Sequence, residues 1–246
     1  MNESNIVRMQ RDLERALLKP VSKRKWAMLI DIRKCTGCHA CAVACKAENK
    51  TPEGVNYRWV KEAEDGEYPD VMSVFMPGMC MQCDDAPCIK ACTGKAIYKR
   101  EDGIVAVNYA KCVGCGGAAE KACPYSAIKV DHGNFYTSSA PAVMEYEHGP
   151  IYEYGKEMKR TSKSLPVNSC RKCHYCLHRL NAAMLPTCVT TCLGGATYFG
   201  DISDTESLVY QKAKELNLYV FMEDKKTVPT TKYITDSVEL CKKCHG

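Results

Sequence analysis

Cysteine is where this sequence concentrates its chemistry: 18 of its 246 residues are Cys, and most fall into four groups. The first reads Cys35-x2-Cys38-x2-Cys41-x3-Cys45 and the second Cys80-x2-Cys83-x4-Cys88-x3-Cys92. The third, Cys112-x2-Cys115-x7-Cys123-Pro124, is irregular, and the fourth reads Cys173-x2-Cys176-x11-Cys188-x3-Cys192. Cys170, Cys241 and Cys244 stand outside the groups. A tight C-x2-C-x2-C loop can wrap three irons of a [4Fe–4S] cubane and turn its backbone N–H groups toward the sulfides. The fourth Cys, one helical turn on, points away and reaches a neighbouring cluster. Zinc sites use pairs of pairs and would leave Cys41 and Cys45 idle. Disulfides do not favour thiols at i, i+3, i+6 and i+10 around one small loop. The pattern points to iron–sulfur clusters.

Crossing the fourth cysteines by the two-cluster ferredoxin rule gives four sites. Cys35, Cys38, Cys41 and Cys192 make site 1, and Cys173, Cys176, Cys188 and Cys45 make site 2. Cys80, Cys83, Cys88 and Cys123 make site 3. Site 4 has only Cys92, Cys112 and Cys115, because Ala118 stands where a regular run places its third Cys and the loop to Cys123 is one residue longer. The motifs thus supply fifteen thiolates, which favours three [4Fe–4S] clusters and one [3Fe–4S] cluster. A fourth cubane completed by another ligand, with Cys170 the nearest spare, and a degraded fourth cluster remain open.

Several elements must position these groups. Lys95–Lys99 and Ile104–Asn108 read as strands around a turn at Glu101-Asp102-Gly103, and Ser126–Val130 as another strand. Trp26–Ile32 and Ala196–Phe199 read as strands flanking the outer groups. The expected fold is α+β, two nested bacterial-ferredoxin-like modules with helical and loop extensions. The outer module takes 25–79 and 170–236, and the inner one 80–131. Ile6, Met9, Leu13 and Leu17 recur at helical spacing before Pro20, so 1–24 is expected as an N-terminal docking helix. The turn- and tyrosine-rich segment 132–169 is expected to contact a partner, while the basic run Lys156 to Lys163 reads as a solvated face. Residues 237–246 form a Cys-containing tail.

Composition limits the alternatives. With 4 Phe and 2 Trp the aromatic core is thin, so cross-links must carry much of the stability. No stretch approaches the roughly 18 apolar residues of a membrane span. A net charge of +5, evenly spread, does not argue for nucleic acid. The N-terminus carries neither an apolar signal region nor a twin-Arg pair. The C-x2-C-H segments at Cys35–His39 and Cys170–His174 share cysteines with the cluster groups, leaving Cys241–His245 as the free haem-type motif, a spare ligand pair or an inert tail. Lys34, Lys111 and Lys172 each precede a cluster Cys or its loop, where positive charge would raise a cluster's potential. No nucleophile elbow, P-loop or dinucleotide fingerprint occurs, and no catalytic residue is assigned.

The four groups, their order and their nested pairing resemble the iron–sulfur subunit of the molybdopterin oxidoreductase family, from about Trp26 to Ile234. That resemblance implies an electron wire between a large molybdopterin-type catalytic subunit and an integral membrane, quinone-interacting subunit. It implies that site 1 lies nearest the catalytic subunit and site 4 at the membrane end. It also implies a peripheral subunit of a membrane complex, on the periplasmic side by co-export with a partner or else on the cytoplasmic side. Two other readings are a soluble polyferredoxin shuttling between enzymes and a cluster enzyme using an incompletely ligated iron. The glycine-rich surroundings of Cys115 offer the last few polar groups. The shuttle would not need an apolar N-terminal helix or a tyrosine-rich loop.

Overall fold

The computed structural model describes residues 3–154, 156–161 and 164–236. Cys241, Cys244 and His245 lie outside the described residues, as does part of the basic run 156–163. The chain opens with α1 (Asn5–Leu17), capped by the Ser4 hydroxyl accepting from the Val7 N–H, and continues into β1 (Trp26–Asp31) and α2 (Ala40–Asn49). A hairpin of β2 (Arg58–Asp65) and β3 (Met72–Met79) follows, then α3 (Pro87–Lys90), β4 (Ile97–Lys99) and β5 (Val105–Val107). Next come α4 (Ala118–Ala122), β6 (Ile128–Val130), β7 (Pro150–Glu153), β8 (Lys156–Lys159) and β9 (Cys170–Lys172). The last elements are α5 (Leu177–Asn181), α6 (Thr187–Thr190), β10 (Thr197–Asp201), α7 (Leu208–Glu215), β11 (Leu218–Tyr219) and β12 (Thr231–Ile234).

The largest sheet has the order β10-β1-β12-β11. The apolar run of β1 is buried at every position, as a strand covered on both faces requires. It pairs antiparallel with β10, with Met28 opposite Phe199, and parallel with β12. Two chain ends far apart in sequence are thereby joined side by side. The apolar stripe of α1, Met9, Leu13 and Ala16, is buried on β10 and α7. The Phe199 N–H donates to Met9 Sδ (3.2 Å) and the Leu208 N–H to Asp12 Oδ2 (2.8 Å). The helix expected to dock a partner therefore lays its stripe on its own sheet and leaves Val7 and Leu18 exposed. It no longer discriminates between a complex subunit and a free shuttle.

β4 and β5 form the hairpin read from the sequence, turning through Gly103 at φ +85°. The β2–β3 hairpin and β9 are additions to the elements expected from the sequence. β9 pairs antiparallel with β6, placing Cys170 opposite Val130. This contact is held by a buried network of two acids and two bases. Arg160 clamps Asp131 through Nε (2.9 Å) and Nη2 (2.7 Å). Arg171 reaches Asp131 (3.2 Å) and Glu153 (2.6 Å), while Tyr57 and Tyr109 donate to the two oxygens of Glu153. All four charged groups are almost completely buried. Burial alone would raise the Asp131 carboxyl pKa, but the neighbouring guanidinium groups overcome it and hold the carboxyl below its ordinary range. Removing one partner of a buried pair leaves the other charge uncompensated. Asp131→Asn is expected to cost about 3 kcal/mol at pH 7, measured by anaerobic denaturant unfolding of the purified chain.

Candidate iron–sulfur sites

The four Cys groups share one local backbone shape. In each C-x2-C pair the residue before the second Cys is left-handed: Gly37 (φ +66°), Gln82 (+49°), Gly114 (+71°) and Tyr175 (+56°). Two of these are not glycine and carry the conformational cost of that region, so the loop shape is held against local preference. The fourth cysteines repeat as well. After Cys92, Cys123 and Cys192 the third residue, Lys95, Ser126 or Gly195, is left-handed. The fourth is an alanine whose backbone N–H points to the sulfur: Ala96 to Cys92 at 3.2 Å, Ala196 to Cys192 at 3.2 Å, and Ala127 to Cys123. This is why β4, β6 and β10 begin only after that alanine, later than the apolar pattern suggests. At Cys45 the helix runs on, and the Asn49 amide takes the same i+4 place, donating to Cys45 Sγ (3.4 Å) and Cys176 Sγ (3.8 Å).

The structure brings the thiols together in groups. Cys35, Cys38, Cys41 and Cys192 line one cavity, and Cys80, Cys83, Cys88 and Cys123 line another. Cys45 is buried, and the charges pressing on it most come from Cys173, Cys176 and Cys188. Cys92, Cys112 and Cys115 gather with Cys170, whose main electrostatic neighbours are those three. The Cys170 N–H donates to Cys112 Sγ at 3.2 Å. All sixteen cysteines among the described residues are free thiols, and no three Cys, His, Asp or Glu side chains among those residues could hold a single metal ion.

Burial makes these thiols hard to ionise on their own. It pushes Cys83 and Cys88 up to about 12, and it drives Cys45 and Cys173 well above the ordinary thiol value, with neighbouring thiolates adding to the effect. Cys112 is the exception: the hydrogen bond from the Cys170 thiol and backbone N–H groups hold it down to about 5. Buried anions need bound cations or buried positive groups, and two side chains answer that need. Arg58 is buried, with its guanidinium on Met79 Sδ (3.2 Å) and Thr197 Oγ1 (3.3 Å). Burial pulls its pKa down, but the Cys188 and Cys41 thiolates overcome it and hold the guanidinium charged. Lys172 is fully buried against the site 3 cavity, its ammonium on the carbonyls of Val105 (2.6 Å) and Cys173 (2.9 Å). Among the described residues neither cation forms an ion pair with a carboxylate. Such a donor set, with thiols in fours, N–H groups on sulfur and unpaired buried cations, fits iron–sulfur clusters.

Of the three lysines singled out by position, Lys172 faces site 3 and Lys34 lines the site 1 cavity while donating to Tyr198 Oη (2.7 Å); Lys111 is exposed. Arg58, Asn49 and Gln82 carry no motif signal. Gln82 ties site 3 to site 2, donating to the Cys173 carbonyl (2.7 Å) and accepting from the Val105 N–H (2.9 Å). Its place inside a C-x2-C pair is the one sequence cue to that role.

A family model described as a 4Fe-4S dicluster domain matches residues 71–140 and 157–202, and a 4Fe-4S binding domain matches 26–47. The chain is 48% identical over 230 residues to a selenate reductase subunit of Mesobacillus selenatarsenatis, covering 94% of this chain and 78% of that protein. It is 31% identical over 208 residues to the iron–sulfur subunit of the arsenate respiratory reductase of Shewanella sp. (76% and 86%). It is 29% identical over 242 residues to the iron–sulfur cluster-binding subunit of menaquinone reductase of Nitratidesulfovibrio vulgaris (87% and 89%). With its cysteine groups folded into shared pockets and its similarity running through nearly the whole chain, this protein belongs to the iron–sulfur subunits of the molybdopterin oxidoreductases, electron-transfer components of complexes that serve anaerobic respiration.

Proposed function

We propose that the chain relays single electrons along a row of four clusters, in the order site 1, site 2, site 3, site 4, between a molybdopterin-type catalytic subunit and a quinone-reactive membrane subunit. Its described residues contain no helix long and apolar enough to cross a membrane, and in this reading it sits as a peripheral subunit of that complex, on the periplasmic side. When bound, the clusters supply reversible one-electron transfer; the chain holds them, dries them and sets their charge surroundings. Two nested ferredoxin-like modules do the holding. Cys41 and Cys45 share one turn of α2, while Cys188 and Cys88 lie in the one-turn helices α6 and α3, with Cys192 and Cys92 two residues past their ends. An i to i+4 step on a helix rises about 6 Å, so α2 keeps sites 1 and 2 close, and the short sequence step of four residues does the same for the other two pairs. Gln82 and Lys172 do the same for sites 2 and 3.

The exposure pattern carries this reading. Site 1 reaches the surface and site 2 is buried throughout, while sites 3 and 4 each keep one half-buried thiol, Cys123 and Cys115; exposed apolar side chains stand next to cysteines of the two end sites. At site 1, Cys38 is exposed, and Val43 (67% exposed) and Leu193 (79%) stand within two residues of Cys41 and Cys192 in the chain. At site 4, Val113, inside the C-x2-C pair, is 73% exposed. A wire needs buried interior stations and two contact ends, and apolar contacts that exclude water suit stable docking. The groove between α2, β2 and the 135–147 loop, with Trp59, Tyr136 and Tyr146, extends the contact surface beside site 1. The relatives' names, reductase subunits and a menaquinone reductase subunit, support the same pair of partners. Which oxyanion the complex reduces belongs to the catalytic partner.

Leu193→Asp should weaken association with the catalytic subunit and Val113→Asp association with the membrane subunit, each leaving the reduced-state cluster EPR signals intact. Co-purification of the assembled complex reads both. If neither variant alters co-purification while quinol-driven turnover is unchanged, the end-docking reading is wrong. Cys45→Ala should nearly abolish quinol-driven turnover while an artificial donor acting directly on the catalytic subunit still supports it. A soluble shuttle predicts instead that the chain purifies alone.

Arg58→Met tests the role of the buried guanidinium. Removing a positive charge between sites 1 and 2 disfavours the reduced clusters, so their midpoint potentials should fall by on the order of 50–100 mV. EPR-monitored redox titration of the complex measures the shift, and Lys34→Met, on the more open site 1, should shift potentials less.

A further inference from the structure

We propose that Cys170 is the fourth thiolate ligand of site 4, so that Cys92, Cys112, Cys115 and Cys170 hold a [4Fe–4S] cubane in place of the three-iron cluster favoured by the motif count. The proposal rests on the iron–sulfur reading above and concerns only the nature of this site.

Cys170 is not a stray thiol near a cluster group. Its segment is fastened by two hydrogen bonds to Cys112 and by strand pairing to β6. The Ser169 hydroxyl donates to the Cys112 carbonyl (3.0 Å), the Cys170 N–H donates to Cys112 Sγ (3.2 Å), and β9 pairs with β6. The loop is pressed so closely on this segment that a Cβ on Gly114 would lie 2.8 Å from the Asn168 carbonyl oxygen. The Cys170 thiol is itself buried (3% exposed) and in hydrogen-bond contact with that of Cys112. Cys92 enters from α3 and Cys115 from the far end of its loop, where Thr93 Oγ1 lies 3.6 Å from its sulfur. Four thiols from three chain segments therefore face one place.

The irregularity of the third Cys group is explained by the same arrangement. After Cys115 the chain passes through Gly116 (φ +60°) and Gly117 (φ +76°) and enters α4 at Ala118. The extra residue is spent on this turn, and the apolar Ala118 offers no ligand. The chain supplies the missing thiolate from β9 instead. The described residues then divide without remainder: sixteen free thiols, four to a site.

A thiol that only hydrogen-bonds a cluster ligand is the competing arrangement, and iron stoichiometry with EPR separates the two. The complex, purified anaerobically and oxidised with ferricyanide just to the end point, should contain about 16 irons per chain and show no [3Fe–4S] signal. Cys170→Ala should lose about one iron and gain that signal in the oxidised state, with the signals of the other three clusters retained. Cys170→Ser, closer in size, guards against misfolding of the alanine variant; it should keep the iron with an altered signal, or lose one iron as alanine does. Wild-type complex with a [3Fe–4S] signal and about 15 irons, unchanged by Cys170→Ala, would overturn the proposal while leaving the wire intact. Loss of all cluster signals from soluble, folded wild-type complex would instead sink the iron–sulfur reading itself.

Discussion

Sixteen cysteine thiols gathered in one small chain, most of them buried, pose an electrostatic problem that the rest of the structure serves to solve. Each site concentrates negative charge where water is excluded, and burial pushes the thiols toward their neutral, non-binding form. The chain responds with backbone N–H groups placed by left-handed residues after each loop, with the Asn49 amide where a helix prevents that turn, and with two buried cations facing sulfur. These same devices set how readily each cluster accepts an electron. Stability and redox tuning thus rest on the same atoms.

The segment Cys170-Arg171-Lys172-Cys173 shows how tightly these demands are packed. Side chains alternate along a strand, so Cys170 faces the Cys92, Cys112 and Cys115 thiols and Lys172 the cavity of Cys80, Cys83, Cys88 and Cys123. Arg171 and Cys173 face the buried acid network and site 2. One short strand is a partition wall between the two halves of the molecule. A slip of one residue would exchange its faces, which explains why Asp131 and Glu153 grip Arg171 so firmly.

Much of this was legible in the sequence, for a physical reason. Cluster ligation needs fixed spacing, so the grouping of the cysteines could be read from their motifs, and the β4–β5 hairpin from its Asp102-Gly103 turn. What resisted reading was whatever depends on tertiary contact. The β6–β9 pairing that delivers Cys170 joins segments separated by a long irregular loop, and its three-residue strands are too short to show periodicity. Arg58 looks like any charged residue on an amphipathic strand until the fold buries it. The amphipathic helix α1 displayed its apolar stripe plainly, but sequence does not say whether such a stripe meets a partner or its own sheet. Two tyrosines of the 132–169 segment, Tyr152 and Tyr154, likewise turn inward onto His178 and His174, and only Tyr136 and Tyr146 remain on the outside.

The pairing of β1 with β10 also carries a consequence for biogenesis. On the ligand sets proposed, site 3 can close once Cys123 has been synthesised, site 4 after Cys170, site 2 after Cys188 and site 1 only after Cys192. The first three cysteines to leave the ribosome wait longest for their partner, about 8–30 s at ordinary elongation rates. Cluster insertion would therefore proceed from the inside of the nest outward. A nascent chain stalled between Cys170 and Cys192 would carry a finished interior with its earliest thiols still open to oxidation or to the wrong metal.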